Sequence, residues 1–276
     1  MRKASKVKKI ILLFGALLLL ALAVAGCGSA SEETKGSASE PKKIVIGTGN
    51  GFKPYCYLDD QGKLAGYELE VLQEVNKRLP QYKFEFETME FKNVLLSLGT
   101  GKVDIGAHQF EKNPDREQKY LFSDESYTTF ILRIIVAKNR NDINSIEDLH
   151  GKTVEVGEGS NDAYVLEKYN KEHGNPIKLV YTSGVDPVTI IKNIEDRRTD
   201  AFISIKRVVD SYNKAYGDKL KTVGTPIATS STYYLYRKED TQLKADIDKV
   251  LKEMKADGTL AKISIKVLGG DYTSND

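Results

Sequence analysis

The sequence predicts an α/β protein built as two lobes with mainly parallel sheets. From Ile44 to Ala107, strand-like segments alternate with helical stripes in the order β-α-β-α-β, and the same order recurs from Thr153 to Ile205. Strands joined through helices lie parallel, because an antiparallel pair needs only a tight turn. Both units close on a helix, a tight turn and a strand opening near Asp (Lys102-Val103-Asp104-Ile105 against Arg198-Thr199-Asp200-Ala201). Such endings are also common among unrelated α/β proteins, so the likeness of the units has a chance explanation too.

In the first unit, Ile44-Val45-Ile46 is a short β-branched strand, and Tyr67 to Leu79 is a helix with Leu69, Leu72, Val75 and Leu79 on one side, closed by Pro80. Tyr82 to Thr88 alternates, with Tyr82, Phe84 and Phe86 on one face and Lys83, Glu85 and Glu87 on the other. Phe91, Val94, Leu95 and Leu98 form the next helical stripe, before strand Val103 to Ala107. The second unit reads as strand Thr153 to Val156, helix Asn161 to His173, strand Ile177 to Thr182, helix Pro187 to Arg197 and strand Asp200 to Ile205. Asp186 before Pro187 has the form of an N-cap followed by proline in the first turn. Tyr233 to Tyr236 is strand-like, and Leu243, Ile247, Val250, Leu251 and Met254 make a stripe ending at Gly258, which belongs with the first lobe.

Ahead of the fold, Arg2, Lys3, Lys6, Lys8 and Lys9 precede an apolar run from Ile10 to Val24 and the small residues Ala25 and Gly26. That order reads as an export signal, with a run too short for a bilayer-spanning helix of about 20 residues. Val24-Ala25-Gly26-Cys27 resembles a bacterial lipobox, which would leave Cys27 as a lipid-bearing N-terminus tethered to the cell membrane; a plain signal peptide with an incidental cysteine is the other reading. Gly28 to Pro41 is rich in Ser, Gly, Ala and charge and reads as a flexible linker. The expected boundaries are 1–26 for the signal, 27–41 for the lipidated cysteine and linker, 42–129 with 231–270 for lobe one, 130–230 for lobe two, and 271–276 for a tail.

The first 26 residues hold five of the 41 basic residues and no acid, leaving 36 against 39 and a formal charge of −3. No basic footprint for nucleic acid survives. With Cys27 lipidated, Cys56 has no partner for an internal disulfide, so packing must supply the stability.

Enzyme signatures are missing: there is no CxxC, HExxH, GxSxG or GxxxxGK[ST], and His108, His150 and His173 are widely spaced. No metal and no cofactor is expected. Gly47-Thr48-Gly49-Asn50-Gly51 follows a strand but leads to Pro54 rather than to a helix, which rejects a dinucleotide fingerprint. It still lies at a strand's carboxyl end, where open α/β sheets bind small ligands. Phe52, Tyr55 and Tyr57 follow there, either as walls for an organic ligand or as loop packing. Cys56 reads as a packed thiol. Strand Val103 to Ala107 runs into His108, Gln109, Phe110 and Glu111 and a polar loop reaching Arg116. A guanidinium fork there suits a ligand carboxylate, although an arginine between Asp115 and Glu117 is also an ordinary surface residue. Gly157-Glu158-Gly159-Ser160-Asn161 joins a strand to a helix, so Ser160 and Asn161 cap that helix, contact an anion, or do both.

From Lys42 to about Gly270 the chain resembles the polar amino-acid-binding proteins of bacterial ABC importers, the family-3 extracellular solute-binding proteins. The matching text includes Ile44 to Tyr57, Gly62 to Tyr67, Gly101 to Asp104, Pro114 to Arg116, Leu121 to Ser123, Asp148 to Lys152 and Gly157 to Ser160. The resemblance implies a type II periplasmic-binding-protein-like fold, with two α/β lobes joined by a two-strand hinge near Tyr127 to Ile131 and Pro226 to Tyr234. It also implies an extracytoplasmic monomer that closes over a free zwitterion and hands it to permease subunits. The family's carboxylate clamp falls on Arg116, its stacking aromatic on Phe52, its first-lobe polar contacts on His108, Gln109 and Glu111, and its second-lobe donors on Ser160 and Asn161. The acid that usually receives the ammonium falls on Ile205, beside Ser204 and Lys206, so Glu111 is expected to take that role. PYCYLD, Ala107-His108-Gln109 and Lys112 to Arg116 look most like the cystine and sulfur amino-acid branch. The rivals are a dehydratase-like enzyme on the same scaffold, with Glu111 or His108 as general acid, and a ligand sensor.

Overall fold

A computed structural model describes residues 40–183 and 186–274. The signal 1–26, Cys27 and nearly all of the linker lie outside the described residues. The first part of the chain forms β1 (Lys42–Thr48), β2 (Gly51–Phe52), β3 (Cys56–Leu58), β4 (Leu64–Ala65), α1 (Tyr67–Arg78), β5 (Tyr82–Thr88), α2 (Phe91–Gly99), β6 (Ile105–Glu111), α3 (Pro114–Lys119), β7 (Leu121–Phe122) and β8 (Thr128–Ala137). There follow β9 (Thr153–Gly157), α4 (Asn161–His173), β10 (Lys178–Thr182), α5 (Pro187–Glu195), β11 (Ala201–Ile205), α6 (Lys206–Tyr216), β12 (Leu220–Tyr236), α7 (Thr241–Ala256) and α8 (Thr259–Leu268).

Among the described residues, one sheet carries the order β10-β9-β11-β8-β12-β6-β1-β5, with β7 added to β12, and β2-β3-β4 form a small antiparallel sheet. β5-β1-β6 are parallel on one side, and β10-β9-β11 on the other. β8 and β12 join the two α/β lobes: they pair antiparallel from Thr128↔Thr232 to Ala137↔Leu220, with a register shift between Val223 and Ala228. Gly224 sits in that shift at φ +67°, and an added Cβ would stand 2.4 Å from the Asn144 carbonyl oxygen, so only glycine fits there. The expected hinge segments therefore belong to two strands longer than their local pattern shows.

Each helix buries its apolar stripe on the sheet. Val71, Leu72 and Val75 of α1 pack with Ile44 and Ile46 of β1, and Val94 and Leu98 of α2 pack with Val103, Phe110 and Leu235. Full burial of such a side chain is worth about 1.5–3 kcal/mol relative to exposure. The C-terminal helices sit on the first lobe, as the stripe near Leu243 suggests, where Tyr82 Oη donates to Asp246 at 2.7 Å and Arg78 pairs with Asp257 at 2.7 Å. Cys56 is free and buried.

Several expectations need correction. The strand read as Val103 to Ala107 starts at Ile105 and continues through Glu111, so His108, Gln109 and Glu111 lie in a strand rather than a loop. The polar stretch after it contains α3: Asn113 Oδ1 accepts from the Arg116 amide at 2.9 Å and Pro114 opens the helix, a cap signature overlooked because the helix is one turn and a half long. Helix α6 was not anticipated, and α5 ends at Glu195 instead of Arg197.

Candidate functional site

A cavity of about 210 Å³ lies between the lobes. Its first-lobe wall is carried by Phe52 at the carboxyl end of β1, by Met89 to Phe91 entering α2, by His108, Gln109 and Glu111 on β6, and by Arg116 on α3. The rings form a stack, with Phe52 5.5 Å from His108 and 5.1 Å from Tyr55, and Phe91 edge-on to His108 at 4.8 Å. An added Cβ on Gly49 would stand 2.2 Å from His108 Nε2 and 2.8 Å from Cys56 Sγ, so the glycine of the β1 turn is what lets the histidine in.

Arg116 is buried at 6% exposure, between the rings of Phe110 and Phe91. Its guanidinium donates to the carbonyls of Glu111 and, across the cleft, Gly159, each at 2.9 Å. No carboxylate forms an ion pair with it among the described residues. Glu111 accepts from Asn161 Nδ2 of the second lobe at 3.0 Å and from the Ser230 hydroxyl. Burial pushes the Glu111 carboxyl up to about 7, against the opposing pull of Ser230, Arg116 and Asn161. Burial holds His108 neutral, near 4.

Behind this wall, Glu68 of α1 is fully buried, and its Oε1 accepts from the Gln109 amide (2.9 Å), Gln109 Nε2 (2.8 Å) and Tyr127 Oη (2.7 Å). These bonds hold Gln109 at φ +53°. The other oxygen, Oε2, has no partner among the described residues, and burial raises this carboxyl to about 7.

The second-lobe wall is polar and acidic: Glu155 to Glu158, Ser160 to Asp162, Thr182, Ser183 and Ser204 line it, with Ile190, Phe202, Val208 and Tyr212 deeper. Ser160 caps α4, accepting from the Ala163 amide at 3.2 Å, and its own amide is bonded to the Gly157 carbonyl at 3.1 Å. Its backbone donor is thus already engaged. Burial raises the Asp162 and Glu155 carboxyls.

Of the residues expected at the site, Phe52, His108, Gln109, Glu111, Arg116, Ser160, Asn161 and Ser204 line this cavity. Tyr55 and Tyr57 do not. Tyr55 is fully buried and accepts from Arg207 Nε at 2.8 Å, while Tyr57 lies on the small sheet under Lys53. Burial drives the Tyr55 phenol up to about 12. Ile205 is buried at the N-cap of α6 and does not line the cavity, and Lys206 pairs outside with Asp210 at 2.6 Å. Phe91, Glu155, Asp162, Phe202 and Tyr212 were missed.

A cleft between two α/β lobes joined by two long strands, with a buried arginine unpaired at its rim, defines a solute-binding protein. The chain belongs to the bacterial extracellular solute-binding proteins, family 3, whose model matches residues 44–270. It is 42% identical over 257 residues to the L-cystine-binding protein TcyK of Bacillus subtilis, covering 93% of this chain and 95% of the relative. It is 38% identical over 261 residues to the L-cystine-binding protein TcyJ of the same organism, covering 95% and 97%. A Streptococcus mutans structure, described for glutathione import via GshT and the cystine ABC importer TcyBC, aligns with TM-score 0.78 and 30% identity over 85% of this chain and 98% of the other. The fold is that of the type II periplasmic binding proteins.

Proposed function

We propose that this chain binds a free amino-acid zwitterion between its lobes and delivers it to the permease subunits of an ABC importer, with L-cystine or a related sulfur amino acid as the ligand. The observation that carries this reading is the buried, ion-pair-free guanidinium of Arg116. A buried cation costs several kcal/mol unless an anion and hydrogen bonds compensate it, and a carboxylate accepts two parallel N–H bonds from this fork. Glu111, whose carboxyl burial holds near neutrality, ionises fully beside an ammonium and takes the other charge of the zwitterion. Phe52 stacks on the ligand's apolar part, and Gln109, Asn161 and Ser204 supply polar contacts. The similarity to two proteins named L-cystine-binding supports the ligand class.

Because Arg116 reaches Gly159 and Glu111 reaches Asn161, a ligand seated between them touches both lobes only when the cleft is closed. Binding then shifts the population to the closed shape that a permease recognises. In this reading the protein works outside the cytoplasm as a monomer on a lipid tether, which the export-signal pattern and Cys27 in the sequence support. No reaction enters the proposal, in keeping with the family match and with relatives named as binding proteins. Calorimetry with the common amino acids and L-cystine tests it. Tight binding of L-cystine that is lost in Arg116→Ala is the expected result; an affinity unchanged by that substitution, or no amino acid bound, overturns it.

A further inference from the structure

The strand β9 alternates so that Val154 and Val156 share one face and Glu155 takes the other. A carboxylate there is unusual, because the position is buried and the helix that meets it through Asn193, α5, carries the buried apolar residues Ile190, Ile191 and Ile194. Glu155 is 4% exposed and lines the cleft, yet among the described residues its side chain is met only by the neutral Asn193 amide, at 3.2 Å. Beside it in the same wall, Tyr212 of α6 is 2% exposed, and its phenol oxygen has no hydrogen-bond partner among the described residues. A buried hydroxyl left unbonded is costly, and a buried carboxylate met by a single amide is under-satisfied, so both groups are a liability unless something polar meets them.

We propose that this deep end of the cleft is a second subsite, in which Glu155 and Tyr212 receive the distal ammonium and carboxylate of a ligand with two α-amino-acid heads, the first head being held at Arg116. The proposal rests on the amino-acid-binding reading and deepens it. A carboxylate accepts from an ammonium, and a free phenol donates to a carboxylate. Phe202, Ile190 and Val208 line the cavity with them and give an apolar wall for an uncharged linker. The length is also suitable. Glu155 precedes Gly159, the second-lobe contact of Arg116, by four residues, at most about 13 Å of extended chain. A disulfide holds two α-carbons about 5.5 Å apart, and the charged groups at each end find partners about 3 Å further out. Burial raises the Glu155 carboxyl when it faces only an amide, and an ammonium draws it back to the ionised form. A ligand whose far end carries only a carboxylate meets an acid there and is disfavoured.

The test is calorimetry on the wild type, Glu155→Gln and Tyr212→Phe, each with L-cystine, which has two heads, and with S-methyl-L-cysteine, which has one. The subsite predicts that the wild type prefers L-cystine, that the preference ratio falls at least tenfold in Glu155→Gln, and that it falls about threefold in Tyr212→Phe. Ratios within twofold of the wild type in both variants overturn the subsite and leave the amino-acid reading standing. Equal wild-type affinity for the two ligands overturns it in the same way. Should Glu155→Gln fail to fold, Tyr212→Phe removes a single oxygen and reads the same ratio, and its unchanged preference is decisive against the proposal. A wild type that binds neither ligand removes the amino-acid reading, and the subsite with it.

Discussion

The two walls of the cleft are built from opposite materials. The first-lobe wall is aromatic and carries the one buried arginine of the site, with Phe52, Phe91 and His108 packed ring to ring and Gln109 held from behind by Glu68. The second-lobe wall is acidic and hydroxylated, with Glu155, Glu158, Asp162 and Ser204 exposed to the same space. The first wall holds the partners of a zwitterion's two charges, Arg116 and Glu111; the second adds polar contacts and further acids. Because Arg116 and Glu111 also reach Gly159 and Asn161 of the second wall, a ligand seated on them touches both walls, which ties recognition to closure without any chemical step.

The largest effect expected from breaking this asymmetry comes from Arg116→Ala, which should weaken amino-acid binding well beyond tenfold, since a charge-assisted pair exceeds about 1.5 kcal/mol. Calorimetry giving the wild-type affinity would remove Arg116 from the contrast. Next comes Glu111→Gln, which converts the acid beside Arg116 in the first-lobe wall into an amide of the same shape. Affinity should drop about tenfold at pH 8. Wild-type affinity should also fall as pH drops through about 7, because protonated Glu111 no longer attracts an ammonium, and the variant should show a flatter profile. Equal pH profiles for the two proteins would assign the ammonium to another acid.

Behind the first wall the expected effect is on stability and not on affinity. The folded-state value of Glu68, about 7, lies above the ordinary 4.5, so folding holds a proton there that the unfolded chain releases. The contribution to stability is complete below about 4.5 and is lost as pH rises toward 7. Glu68→Gln keeps the Oε1 acceptor for Gln109 and Tyr127 and removes this titration. The stability difference between pH 5 and pH 8 in urea should shrink by about 2–3 kcal/mol relative to wild type, and an unchanged difference rejects the assignment. The smallest effect belongs to Arg207, which bridges Tyr55 Oη, the Thr129 carbonyl and the Tyr272 ring behind the hinge. Arg207→Ala should loosen the closed arrangement and cost about threefold in affinity through faster dissociation, readable by stopped flow. A dissociation rate equal to wild type would confine this arginine to packing.

Much of the scaffold was legible because its signals are local. The alternation in Tyr82 to Thr88 and the stripe in Asn161 to His173 match β5 and α4 at both ends, and Asp186 does accept from the Val188 and Thr189 amides at the start of α5. Arg116 lines the cleft, but the element carrying it was misread, because six residues are too few to show a helical period. Glu155 and Tyr212 escaped notice for a different reason. A Glu between two valines reads as the wet face of a strand, and a Tyr in a helix reads as core.

The order of strands and helices, the parallel pairing it implies and the turns at the carboxyl ends of β1 and β6 follow from periodicity and chain chirality, which act over a few residues and a crossover. Which side chains share the cleft is decided by the packing of distant segments. α5 brings Asn193 to the buried Glu155 of β9, the long β8 and β12 bring Ser230 to Glu111, and α6 carries Tyr212 into the second wall and Arg207 to the hinge. Burial and its electrostatic consequences depend on neighbours far away along the chain, 119 positions for Ser230 and Glu111 and 152 for Arg207 and Tyr55, and no local pattern encodes them.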